Sequence, residues 1–146
     1  MAALTVAQLF AAKEAELARK REEEQAAAAA AQAERAAFAE KVMTYRITED
    51  DKARAMARIA RAFADGEKEL MLVHFPSEIC TDGGRRINNH LEGWQDTLPG
   101  AFHDVFLWWE AALKPGGFGF FARVINYPDG MPGDVGIFIT WPQMQD

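Results

Sequence analysis

From Thr5 to Val42 alanines and charged residues follow one another without a glycine or proline, and large apolar residues gather only at the two ends. Val6, Leu9, Phe10 and Leu17 form one cluster; Phe38, Val42 and Met43 form the other. This pattern predicts one long helix, because alanine has the best helix propensity and nothing interrupts the run. Thr5 and Gln8 stand three apart as a capping-box pair, with Leu4 and Leu9 in the staple positions. A heptad register through Phe10, Leu17, Glu24, Ala31 and Phe38 meets a glutamate midway and has no second apolar row, which argues against a coiled coil. The middle, Arg19 to Glu24 and then Ala26 to Ala31, reads as solvated, so residues 1–47 are expected to be a low-complexity helical extension, partly disordered when isolated.

Residues 48–146 change rhythm and are expected to form a small globular domain. Thr48 with Asp51 repeats the capping signal, and Met56, Ile59, Ala60 and Phe63 recur at helical spacing as the expected buried stripe up to Gly66. Leu70 to Phe75 is apolar on both pleat faces and predicts a central, doubly covered strand ended by Pro76. A short helix is expected near Arg85 to Leu91. Thr97 opens a longer one, whose stripe of Leu98, Phe102, Val105, Phe106, Trp109 and Leu113 runs to the stop Lys114-Pro115-Gly116-Gly117. Phe118 to Ile125 and Val135 to Trp141 alternate as strands around a Pro- and Gly-rich loop, Asn126 to Asp134. The expected architecture is α+β: a small three-stranded mixed or antiparallel sheet packed with helices, preceded by a long Ala-rich N-terminal helix.

Composition sharpens this division. Across 146 residues the net charge is -6, and all 11 glycines, 6 prolines and 4 tryptophans lie beyond Ala64. Residues 69–146 hold only Arg85, Arg86, Lys114 and Arg123 as cations, so the whole excess of acid falls there. That balance argues against nucleic acid as a partner, and no run of eighteen apolar residues offers a membrane span. One cysteine, Cys80, excludes an internal disulfide framework and a multi-cysteine zinc site. The lone thiol and the lack of a leader-like segment favour the cytoplasm.

Chemistry has few places to sit. Cys80-Thr81-Asp82-Gly83-Gly84-Arg85-Arg86 spaces Cys80 and Arg86 as Cys-x5-Arg, with two glycines between them. This spacing resembles the phosphate loop of cysteine phosphatases and some arsenate reductases. The resemblance implies a low-pKa thiolate nucleophile, an arginine clamp and a cradle of backbone N–H groups for an oxyanion. The chain departs from that pattern at Ile79, at Ile87 and at Asp82, which puts a negative charge inside the cradle. His74, His90 and His103 are the only imidazoles that could activate the thiol; His74 reads as a core residue. Arg54, Arg58 and Arg61 line one helix face and are candidate binding residues for phosphate or an acidic partner, with an intramolecular answer to the acidic C-terminal part as the favoured reading of that row. Aromatics exceed what a thin core hides, so Trp94 and Trp108, with Arg85, are candidate binding residues. No dinucleotide fingerprint, Walker loop or metal-ligand spacing occurs, so no cofactor or metal is expected. The leading expectation is a non-enzymatic interaction or accessory module with a helical tether, contacting an unidentified protein or a second copy. The alternative is a cysteine-thiolate enzyme acting on phosphate-like oxyanions through Cys80 and Arg86.

Overall fold

The computed structural model describes residues 3–144. The protein is an α+β chain: a long N-terminal helix, shorter helices and one three-stranded antiparallel sheet. It divides into two compact units, Met1–Glu40 and Lys41–Asp146.

The first unit is helix α1 (Val6–Thr44) up to its last turn. Its start is built as the sequence spells it: the Thr5 N–H donates to Gln8 Oε1 at 3.0 Å, and the Gln8 N–H donates to Thr5 Oγ1 at 3.1 Å. Local pairs, such as Arg19 with Glu23 at 2.9 Å, support the middle. The N-terminal cluster is bare: Val6 is 63% exposed and Phe10 66%. Only Val42 among the residues of α1 is buried, and it belongs to the core of the second unit.

In that second unit α2 (Glu49–Ala64) opens with a complete capping box between Thr48 and Asp51. The Tyr45 hydroxyl also donates to Asp51, and these bonds pull the Asp51 carboxyl down to about 2 while Asp51 raises the Tyr45 phenol. Three strands follow: β1 (Glu69–Pro76), β2 (Gly119–Val124) and β3 (Asp134–Thr140), in the order β1-β3-β2. The central strand is therefore β3, not the Leu70–Phe75 segment, which forms an edge. Val135 to Ile139 are buried without a break, whereas in β1 Met71 and His74 are exposed. His74 is thus a surface residue rather than a core one.

The β1 edge is irregular between Met71 and Val73, and Arg58 fills the gap. Its guanidinium donates to Leu72 O at 2.9 Å and Met71 O at 3.0 Å. That clamp sets the rotation of α2. Ile59 and Ala62 are buried, Ile59 against Leu72 and Ile139 of the sheet, while Met56, Ala60 and Phe63, expected in the buried stripe, are exposed, Met56 at 49% and Phe63 at 46%.

The helix expected from Leu98 to Leu113, opened by Thr97, starts two residues later and changes its turn width before its end. Trp94–Thr97 is a 3-10 turn closed by the Thr97 hydroxyl on Trp94 O at 2.6 Å. After the four-residue α3 (Arg85–Asn88) and this turn, α4 begins only after Pro99 (Gly100–Trp108), and a π turn, Trp109–Leu113, continues it. The wide turn changes the residue register, so Leu113 is buried while Trp109 donates its indole N–H to Phe118 O at 3.0 Å.

One buried cluster gathers Val42, Phe75, Cys80, Ile87, Phe102 and Ile137; a second gathers Ile59, Leu72, Leu113 and Ile139. On the other face of the sheet Phe121 stacks on Phe138 at 4.9 Å, and Arg123 lies 4.0 Å over the Phe138 ring. Gly136 leaves room for that arrangement, since a Cβ there would meet Phe138 Cε2 and Met71 Sδ at 2.9 Å.

The last turn of α1 meets α4 through Gly100. Its φ is +35°, and a Cβ at this position would collide with Val42 O and lie 2.6 Å from Met43 Cα. Gly100→Ala is therefore expected to destabilise the protein by about 3 kcal/mol, from overpacking plus backbone strain. Gly117 also has positive φ but open space around it, so Gly117→Ala is expected to cost only about 1 kcal/mol. Urea midpoints of the two variants against the parent measure the difference; equal losses would mean that helix contact does not constrain position 100.

Candidate functional site

The Cys80 loop lies between the 3-10 turn Ser77–Ile79 and α3. Cys80 is 5% exposed and packs in the main cluster, and burial, followed by the nearby Asp82 charge, pushes its thiol up to about 12. Asp82 turns inward on its own loop: Oδ1 accepts from the Gly84 N–H and Oδ2 from the Arg86 N–H, both at 3.0 Å. Those N–H groups are the donors an oxyanion cradle would need, and a carboxylate already satisfies them. Gly84 serves packing here, since a Cβ would come within 2.9 Å of Ser77 Cβ. Arg85 and Arg86 are exposed. The Cys-x5-Arg spacing of Cys80 and Arg86 thus surrounds a thiol held protonated, contrary to the lowered pKa that thiolate chemistry demands.

The arginine row has local partners. Arg54 pairs with Asp51, Arg61 lies 4.0 Å from Asp65, and Arg58 clamps β1. The acid that answers Arg54 and Arg61 is on and beside α2 itself, not in the C-terminal part. Trp94 stacks on Phe120 with centroids 5.7 Å apart, and Trp108 packs against the second cluster. Both rings are half-buried in the fold. Among the described residues no three His, Cys, Asp or Glu side chains converge as a metal site. No helix among them is long and apolar enough to cross a membrane.

Two apolar surfaces stand out among the described residues. One is the α1 start, where Leu4, Val6, Leu9 and Phe10 are all more than half exposed. The other is a groove of about 620 Å³ along α2, lined by Met56, Ile59, Phe63, Leu113, Trp141 and Met144 among others. The Trp141 indole donates to Glu67 O at 3.1 Å and rests edge-on against Phe63, 6.3 Å between centroids, which fixes one wall. Sequence reasoning missed this groove. Its signal was present as the Met56–Phe63 spacing, but periodicity alone assigned those side chains to the core.

Because Cys80 has an ordinary value of 9.0 and is raised in the folded state, the neutral thiol favours folding. That contribution is complete below pH 9.0 and is lost as pH climbs toward about 12, where unfolded chains ionise first. Iodoacetamide at pH 8 should alkylate native Cys80 about a hundredfold or more slowly than free cysteine, with the rate rising only well above neutrality. Fast labelling at pH 7 of protein shown to be folded would contradict this environment.

The chain matches no family model, no curated protein and no solved structure.

Proposed function

We propose that this protein works by protein–protein contact, as an accessory module in which α1 is a tether and its first three turns are the contact surface. The bare apolar patch of Leu4, Val6, Leu9 and Phe10 carries this reading. A helix gains most of its stability in proteins from packing an apolar face, and this face has its large side chains in solvent. Spacing at i, i+3 and i+4 through Val6, Leu9 and Phe10 is the form in which a helix enters a groove. The buried, protonated Cys80 speaks for binding rather than thiolate catalysis. A protein partner rather than nucleic acid agrees with the net charge of -6. Cytoplasmic residence fits a lone free cysteine, which stays reduced there.

A photo-crosslinking residue placed at Phe10 in the full chain tests the reading. It is expected to give a discrete protein adduct in cells, whereas the same residue at Ala27, in the alanine run, gives none. The substitution Leu9→Ser is expected to remove the adduct and leave the urea midpoint unchanged within about 0.5 kcal/mol, since Leu9 is exposed. Adducts of equal strength at positions 10 and 27, or none at either, would count against the tether.

A further inference from the structure

We infer that the groove beside α2 receives the start of α1 from a second copy of this chain. This rests on the tether reading above and names its partner.

The two surfaces match in chemistry. Residues 3–12 carry no charged side chain; Lys13 is the first. No lining residue of the groove is charged either, and its polar member is Gln143. A charge at either surface would be left desolvated on docking, so this neutrality is what a buried helix–groove contact requires. The two surfaces also match in form. Val6, Leu9 and Phe10 project from one helix face at anchor spacing, and Leu17 follows on the same side three turns after Val6. The groove, at about 620 Å³, has the size of a cleft that takes several apolar side chains. Met56 and Met144 bring flexible thioethers that mould around an inserted ring. The α2 side of the groove is held by the Arg58 clamp and Trp141 by its bond to Glu67, so the groove is formed before anything enters it. The contact is heterologous: one patch meets a different patch on another copy.

That asymmetry gives a direct test in the full chain. Sedimentation velocity over a range of concentrations is expected to show reversible self-association. Phe10→Asp damages the inserted helix, and Phe63→Asp damages the groove. Each is expected to raise the concentration for half-association by about thirtyfold, as for a central aromatic anchor. An equimolar mixture of the two variants is expected to regain association, because the mixture still contains one intact helix start and one intact groove. Met56→Glu replaces Phe63→Asp should the latter lower the urea midpoint.

A chain that is monomeric at every concentration overturns the inference. So does a mixture that fails to regain association, which would mean that like patches meet like. A synthetic peptide of residues 3–17 is expected to displace the dye ANS from the groove; displacement by decanoate but not by the peptide would assign the groove to a small apolar ligand instead. The adduct at Phe10 separates the two readings. A foreign protein in that adduct, with none of the chain itself, ends the self-association inference and leaves the tether standing.

Discussion

Five consecutive buried residues in β3, Val135 to Ile139, set the terms for the globular unit. Buried N–H and C=O groups need partners, and a strand with no solvated side must find them on two neighbours. With β1 and β2 supplying them, the sheet closes at three strands and both outer strands become edges. The β1 edge has an irregularity that breaks its ladder, and the Arg58 guanidinium satisfies the carbonyls of Met71 and Leu72 there. That one side chain fixes the rotation of α2, and the rotation turns Met56 and Phe63 outward. The groove is thus a consequence of covering an edge strand, not a separate feature of the surface.

This chain of causes explains which parts were legible in the sequence. Both capping boxes, Thr5 with Gln8 and Thr48 with Asp51, were readable because the interacting groups lie within one turn. The α+β class and the three strands followed from period and punctuation. The centre of the sheet did not, because an apolar run such as Leu70–Phe75 looks like a buried strand whether it ends up inside or at an edge. Periodicity marks α2 as amphipathic but does not fix its azimuth to the width of one residue. Arg58 decided that through carbonyls 13 and 14 positions away. The π turn after Trp108 was equally invisible, since it depends on where Leu113 and the Trp109 indole find partners.

The Cys80 loop shows the same limit in chemical terms. A spacing of one cysteine to one arginine is a one-dimensional fact, while a thiol's acidity is set by its surroundings. Here burial and Asp82 both act against ionisation. Asp82 was visible in the sequence as a departure from the phosphatase pattern. Its use as an internal acceptor for Gly84 and Arg86 was not, and that use makes the loop a self-satisfied turn.

What a helix start in a foreign groove can assemble depends on symmetry. A contact between unlike patches leaves each copy with one patch unspent, so one-way exchange continues until it closes into a ring or runs on as a filament. Reciprocal exchange, each α1 start in the other copy's groove, closes at two copies. It also turns the second contact into an intramolecular event with a high effective concentration, which tightens the pair beyond what one contact gives. In such an exchange the alanine-rich stretch between Arg19 and Phe38 would span distance as an α-helix of about 1.5 Å per residue while offering no large apolar side chain of its own to compete for the groove.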